Sequence, residues 1–351
     1  MTTECCVVDW GKDFPANGQA KLYGQGAASQ SPILGEEEMK IVLAGGSGQV
    51  GAILRRHFSR DKAIQVLNLS RSGEKGWIKW DGRTLGNWAE AIDGADLVVN
   101  LAGRSVDCRY TKTNLKEMMD SRVESTRVIG QTIEGASRPP ALWLQMSTAT
   151  IYSHRFDQAN DEDTGIIGGQ ELDAPSYWGY SIEIAKAWER ELSEAKTPKT
   201  RKVALRAAMV MSPGRGGVFD VLYKMTMLGL GGPIGGGHQY VSWIHDLDFC
   251  RAIDFLIRHD EIDGPVNLCA PGPLPQKEFM GKLRLALGIP IGFPATKWMA
   301  ELGALVLRTD TELLLKSRRV VPTRLLKSGF EFQFPDWETA AKDLSYRRRH
   351  G

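Results

Sequence analysis

Cysteine is scarce in this chain and scattered. The five thiols (Cys5, Cys6, Cys108, Cys250, Cys269) include no C-x-x-C pair, which argues against a disulfide framework and a zinc site and leaves reduced thiols in a cytoplasm as the expectation. The opening MTTECCVVDWGKDF has neither a basic leader nor an apolar stretch behind it, so no secretory signal is expected. No run approaches the ~18 uninterrupted apolar residues that a membrane helix needs. An excess of one charge is also missing: 44 Lys and Arg against 42 Asp and Glu leave a formal +2. Neither nucleic acid nor an anionic membrane is then expected as a partner, and the terminal YRRRH (346–350) reads as a solvated tail. There are no internal repeats. What remains is a soluble, cytoplasmic globular chain whose 351 residues suffice for two lobes.

Order begins at Met39. Residues 1–38 are rich in Gly, Ala, Ser and Gln without helical or strand period, and they read as a loosely ordered extension. A start at Met39 is the alternative reading, and the sequence leaves both open. From Lys40 the pattern is strand, turn, helix: Ile41, Val42 and Leu43 form a short buried-strand run, and Val50, Ile53, Leu54 and Phe58 then recur at helical spacing. QVLNLS (65–70), ADLVVNLAG (95–103), LWLQMS (142–147), KVALR (202–206) and PVNL (265–268) follow as strand candidates with amphipathic stretches between most of them. Such alternation implies an α/β fold, a doubly wound parallel sheet with helices on both faces. Residues 211–245 break the pattern with a Gly-rich insertion, GLGGPIGGGHQY. Helical candidates at 276–287, 296–308 and 310–317 then predict a smaller mixed C-terminal lobe. The division is therefore 1–38 extension, 39–270 nucleotide-binding domain, and 271–351 a small substrate-side domain.

Gly45, Gly48 and Gly51 place a G-x-x-G-x-x-G between the first strand and the first helix. A tight turn, bare backbone for a pyrophosphate and close helix packing each ask for glycine, and the helix start turns its free N–H groups and positive dipole end toward the phosphates. Gly45, Ser47, Gly48, Gln49, Val50 and Gly51 are thus candidate cofactor residues of a Rossmann-type dinucleotide site. About 20 residues farther on, where an acid would grip a ribose 2′-hydroxyl, the chain reads Ser70-Arg71-Ser72. A guanidinium flanked by hydroxyls suits a 2′-phosphate, so NADP(H) is preferred, with NAD(H) as the other reading. Leu101, Ala102 and Gly103 close another strand with small residues, and cofactor ribose against that backbone is expected. The aromatics Trp77, Trp80, Trp88 and Trp298 read as packing rather than as stacking platforms.

With these pieces in view, the chain resembles the extended short-chain dehydrogenase/reductases, the epimerase/dehydratase superfamily, through AGGSGQVG (44–51), VVNLAG (98–103), MSTATIY (146–152) and SWIHDLD (242–248). A narrower resemblance, from Met39 to Leu344, is to an atypical subgroup called epimerase family proteins, or cell-division-inhibitor-like. It is carried by DSRVEST (120–126), LGLGGPIGGGHQYVSWIHDLD (228–248), GPVNLCAPGP (264–273) and RRVVPTRLLKSGFEF (318–332). That resemblance implies NADP preference and a small C-terminal domain, without a known reaction. In the superfamily a Ser or Thr polarises the substrate carbonyl, while the Tyr of a Tyr-x-x-x-Lys moves the proton and the Lys holds the nicotinamide ribose.

The hydroxyl carries over as Thr148, with Ser147 beside it; the pair does not. The helix reads SYWGYSIEIAKAWERE (176–191), and Ile182 stands four residues before Lys186. Tyr180 and Lys186 are six apart, about 240° around a helix. Lys186 and Ser147 stay as candidate cofactor contacts by resemblance. Arg122, at a place where related enzymes carry a structural Asn, and His245 are the candidates to supply missing acid/base or electrostatic help. A surface ion pair for Arg122 and a purely structural histidine are the competing readings. Arg109 and Tyr110 are candidates to line the cleft. The expected function is an NADP(H)-dependent oxidoreductase or epimerase-like enzyme acting on a small molecule, with a catalytically weak NADP(H)-sensing regulator as the alternative. Homodimerisation is expected only by analogy.

Overall fold

Residues 38–74, 76–106, 108–171, 174–296 and 312–351 are described by a computed structural model of the chain. Seven strands build the main sheet: β1 (Met39–Ala44), β2 (Ile64–Ser70), β3 (Ile78–Lys79), β4 (Leu97–Asn100), β5 (Leu142–Thr148), β6 (Arg201–Ala207) and β10 (Gly264–Leu268). Their order is β10-β6-β5-β4-β1-β2-β3, and every pairing is parallel. The five later strand candidates and the first all lie in this sheet. β3 was not anticipated, because a two-residue edge strand has no period to read.

Burial on both faces explains the unbroken apolar runs. Ile41 and Leu43 point to one face, where Leu97, Val99, Leu144 and Leu205 join helices α1 (Gln49–Phe58) and α5 (Asp246–Arg258). Val42 and Ala44 point to the other, with Val98, Trp143, Trp80 and Trp88, under α2 (Lys112–Gly135) and Leu192 of α3 (Gly179–Glu194). Trp80 and Trp88 meet edge to face at 5.4 Å. Trp77 instead lies beneath Arg55, 4.5 Å from its ring centre to the guanidinium. Trp298 and the candidate helix 296–308 beyond Thr296 lie outside the described residues, as does the extension before Glu38.

A second core joins the Gly-rich region to the C-terminal segment. Met211 from β7 (Met209–Met211), Phe219 from α4 (Val218–Met227) and Trp243 from β9 (Trp243–His245) pack with Phe279, Met280 and Leu283 of α6 (Gln276–Leu287). Trp337, Ala341 and Leu344 of the last helix, Trp337–His350, complete it. The insertion at 211–245 therefore shares its core with the smaller lobe. A short strand, β8 (Tyr240–Val241), pairs antiparallel with β11 (Leu274–Pro275). Two short helices, α7 (Glu312–Leu315) and α8 (Thr323–Lys327), precede the last helix, α9. No helix among the described residues is long and apolar enough to cross a membrane.

The SWIHDLD stretch fastens α9 to this second core. His245 is fully buried, accepts from Leu247 N at Nδ1 (3.1 Å), meets Asp343 at Nε2 (2.9 Å) and stacks on Phe334. With Nδ1 accepting, Nε2 carries the proton and donates it to Asp343. Arg347 bridges Asp246 and Asp343 at 2.9 and 3.1 Å, and Asp248 accepts from Gln333 N and Phe334 N, both at 2.8 Å. Burial alone would push the Asp343 carboxyl up; the His245 ring and Arg347 outweigh it and hold it below its ordinary value. A depressed carboxyl stabilises the fold fully above its unfolded pKa of about 4, and the contribution is lost as pH falls through the lower folded value. Asp343→Asn should therefore cost about 2 kcal/mol at pH 7, and the deficit should close only below about pH 4. Urea unfolding midpoints of both proteins across that range measure it.

Candidate functional site

Because all seven strands run parallel, their carboxyl ends share one edge of the sheet. The chain adds β2 and β3 on one side of β1 and then returns to add β4 on the other. In open α/β sheets the crevice for a ligand opens at that reversal, outside the carboxyl ends. A cleft of about 720 Å³ lies there, lined by Gly45, Ser47 and Gly48, by Ser70 and Arg71, and by Leu101, Ala102 and Gly103.

Three glycines divide three tasks. Gly45 has φ +81°, and a Cβ on it would stand 2.8 Å from Ala102 N. The β4 turn is fixed in that position by Asn100, whose buried amide oxygen accepts from Ala102 N at 3.0 Å while its Nδ2 donates to Gln145. Gly51 packs against its own turn: a Cβ would lie 2.4 Å from Gly46 O. Gly48 is different. The nearest protein atom to a Cβ there would be Gly45 O at 3.9 Å, and the residue is exposed. Gly48 is also the N-cap of α1, with no side-chain cap and no acid in the first turn. The fold thus leaves bare backbone and uncapped N–H donors facing the cleft, which is what a pyrophosphate requires.

At the end of β2, the buried Ser70 hydroxyl meets Ser72 Oγ at 2.9 Å, while Arg71 is exposed. Lys79, from the edge strand, lies against Gly73 and also lines the cleft. Among the described residues neither Arg71 nor Lys79 forms an ion pair. The nearby acid Asp81 is used locally, accepting from Arg83 N, Thr84 N and the Thr84 hydroxyl, and Arg83 pairs with Glu124. The sequence reading missed Lys79, Trp80 and Arg104 as lining residues. Lys79 and Trp80 lie outside any motif, and only the pairing of β3 with β2 brings them to the rim.

The other candidates are distributed as follows. Gln49 turns its amide toward Gly217, Val50 packs on the sheet core, and Gly51 is buried, so none of these three lines the cleft. Ser147 donates to Glu189 at 2.6 Å, and Glu189 holds Arg206 at 2.8 and 2.7 Å. Arg206 also donates to the Tyr152 hydroxyl at 2.9 Å, and Tyr152 donates to Asn267. Burial, only partly offset by Arg206, pushes the Tyr152 phenol up to about 12. Ser147 is thereby committed to a buried network. Lys186 pairs with Glu183 at 2.8 Å on an exposed stretch of α3, while Ile182, in the slot four residues earlier, is buried against Gly169. His245 sits in the second core with both ring nitrogens engaged, which leaves it no role as a proton carrier at the cleft.

Thr148 ends β5 on the same sheet edge. Its Oγ1 accepts from Thr150 N at 3.1 Å, its hydroxyl hydrogen has no acceptor among the described residues, and Thr148 does not itself line the cleft. Thr150 Oγ1 in turn accepts from Arg318 Nε at 3.1 Å, and Thr150 O accepts from Lys316 Nζ at 3.1 Å. Lys316 lies against Glu312, which also accepts from Ser181. Arg122, on α2, stacks over Trp188 at 5.0 Å and donates Nη1 to Met118 O at 3.0 Å. Its Cζ stands 3.2 Å from where a Cβ of Gly103 would lie, so the guanidinium sits against the β4 turn.

The comparisons with known proteins agree with this geometry. The family model "NAD dependent epimerase/dehydratase family" matches residues 41–269, and a domain of unknown function, DUF1731, matches 295–344. Human epimerase family protein SDR39U1 is 29% identical over 87% of this chain and 99% of its own length. An epimerase family protein of Staphylococcus epidermidis is 29% identical over 87% of this chain and 98% of its own. A crystal structure of the human protein with NADPH superposes with a TM-score of 0.77 at 28% identity, covering 88% of this chain and 99% of that one. UDP-N-acetylglucosamine 4-epimerase from Bacillus cereus, at 16% identity and a TM-score of 0.66, shares the fold. Sheet order, the glycine turn and the family match over most of the described sheet lead to one conclusion: this chain belongs to the NAD dependent epimerase/dehydratase family.

Proposed function

We propose that the protein binds NADP(H) in the cleft at the β1–β4 reversal and uses it in an oxidoreductase or epimerase-like reaction on a carbonyl or alcohol substrate. The observation that carries the reading is an uncapped, side-chain-free helix start at Gly48 together with two cations that form no ion pair among the described residues, Arg71 at the end of β2 and Lys79 beside it on β3. The first fits a pyrophosphate and the second a 2′-phosphate; an acid gripping a 2′-hydroxyl is absent from that strand end. The similar human protein, whose crystal structure holds NADPH, supports the choice of cofactor. When bound, the nicotinamide supplies or accepts a hydride, which leaves the protein to orient and polarise the substrate. Thr148 fits that second task through its available hydroxyl hydrogen.

A specific observation favours a second reading, a weakly catalytic protein that senses NADP(H). Ile182 is buried and Lys186 is committed to Glu183, so α3 offers no Tyr–Lys proton relay. The two readings separate on turnover. Under the first, a panel of carbonyl compounds contains at least one that oxidises bound NADPH at a rate lost in Thr148→Val. Under the second, NADPH binds and no compound changes its absorbance.

Two variant sets test the cofactor site itself. Gly48→Ala should leave the fold intact, because the new methyl has room, yet weaken NADPH tenfold or more by filling the cradle; Gly51→Ala should instead lower thermal stability, since its methyl meets Gly46 O. Thermal unfolding and calorimetric titration of the two side by side show whether the roles divide this way. Arg71→Ala should weaken NADPH by about 10- to 100-fold, the loss of a charge-assisted phosphate contact, with NADH affinity unchanged. An equal loss for both nucleotides would remove Arg71 from the selectivity argument.

A further inference from the structure

Lys79 is set in place by the edge of the sheet. β3 pairs with β2 so that Lys79 stands opposite Ser70, the residue before Arg71, and Trp80 N donates to Ser70 O at 3.2 Å. The lysine stem lies along the turn that follows β2. A Cβ on Gly73 would stand 3.2 Å from Lys79 Cβ and 3.4 Å from its Cγ and Cδ. Gly73 has φ +58°, in the left-handed region that glycine enters without penalty. Ser70 draws the same turn in: its hydroxyl accepts from Ser72 N at 3.3 Å and meets Ser72 Oγ at 2.9 Å. Residue 73 is thus bare where the turn closes on the lysine, and a side chain there would push the stem away.

The charge at the end of that stem is unanswered. Lys79 and Arg71 are exposed and line the cleft, and neither has a hydrogen bond or an ion pair among the described residues. The described acids beside them serve other donors: Asp81 accepts from Arg83 N, Thr84 N and the Thr84 hydroxyl, and Glu74 accepts from Ser72 Oγ at 3.4 Å. Two like charges at the ends of adjoining strands, on the rim of one cleft, repel each other, and an anion that reaches both removes the repulsion. Because its stem is already packed, Lys79 presents its charge at a smaller ordering cost than a free surface lysine would.

We propose that Lys79 determines cofactor choice: its ammonium takes the 2′-phosphate together with Arg71, and Gly73 is the positioning residue that holds the lysine for it. The proposal deepens the NADP(H) reading, on which it rests, by adding a residue from outside the strand end where ribose recognition is expected. The ammonium is a point charge that suits a phosphate from any side, while the Arg71 guanidinium offers a directional fork. A 2′-hydroxyl brings no charge to either cation. Selectivity is then made at this end of the cleft, and the bare helix start at Gly48 takes no part in it.

The test titrates adenosine 2′,5′-bisphosphate and adenosine 5′-monophosphate calorimetrically into the full chain at one fixed ionic strength. Lys79→Gln should weaken the bisphosphate by about threefold or more, the loss of a charge-assisted phosphate contact, while the monophosphate is unchanged. A smaller loss, or an equal loss for both nucleotides, overturns the proposal. Lys79→Arg, which keeps the charge, should retain most of the preference, and a loss as large as that of Lys79→Gln also overturns it. Gly73→Ala reads the positioning role, since it moves the lysine without changing any charge. It should weaken the bisphosphate in the parent and have no further effect in a chain that already carries Lys79→Gln; the same loss in both backgrounds would make Gly73 merely structural and overturn its assignment. If the parent itself binds the bisphosphate no tighter than the monophosphate, the NADP(H) preference falls and this proposal with it. If the parent shows the preference and Lys79→Gln keeps it, only the role of Lys79 falls.

Discussion

The arrangement depends first on how closely two backbones approach at the carboxyl edge of the sheet. Gly45 and Ala102 touch where any side chain on Gly45 would intrude, and Asn100 holds the second turn in place through Ala102 N. That contact draws the ends of β1 and β4 together and leaves the uncapped start of α1 as the floor of a cleft. Gly51 lets the helix lie low enough on the sheet for this to happen. Gly48 has no structural need to be glycine, and its bareness is intelligible only from the side of the cleft. One packing constraint thus produces an anion-ready surface without any charged side chain.

A second constraint ties the smaller lobe to the sheet. Asp246 and Asp248 begin α5, a helix of the sheet's own core, yet their carboxylates are spent on Arg347, Ser212 and the backbone of Gln333 and Phe334. His245 adds Asp343. A motif that looks like an acid/base cluster in the sequence is a set of ties between lobes. Asn267 does similar work from β10, receiving Tyr152 and donating to Val321 O. These ties hold the 316–320 segment where Lys316 and Arg318 reach Thr150.

How much of this could be read from the chain follows from the range of the forces involved. The sheet strands announce themselves because burial on both faces leaves a run such as IVL or LVV, and the glycine turn because its constraints are local in sequence. That Ser70 and Arg71 line the cleft was legible for the same reason, since they directly end a strand that the sequence announces. Lys79 and Trp80 were not, since a two-residue edge strand carries no pattern and only pairing with β2 brings them to the cleft. The commitments of Ser147 to Glu189, of Lys186 to Glu183 and of His245 to Asp343 differ in kind. The residue types suggest chemistry, but partners 42 and 98 positions away decide the first and last of them, and nothing local in the sequence names those partners.

An α3 without a Tyr–Lys relay poses an electrostatic problem. A relay tyrosine works because a nearby lysine stabilises its phenolate. Here Lys186 pairs with Glu183, and the cations that reach the turn after Thr148 are Arg318 and a Lys316 already paired with Glu312, both from the C-terminal segment. Guanidinium groups do not release protons at neutral pH, so this charge cannot replace the tyrosine as an acid. The turn that follows Thr148 is thus held from the C-terminal segment rather than from α3, which ties the end of β5 to the smaller lobe.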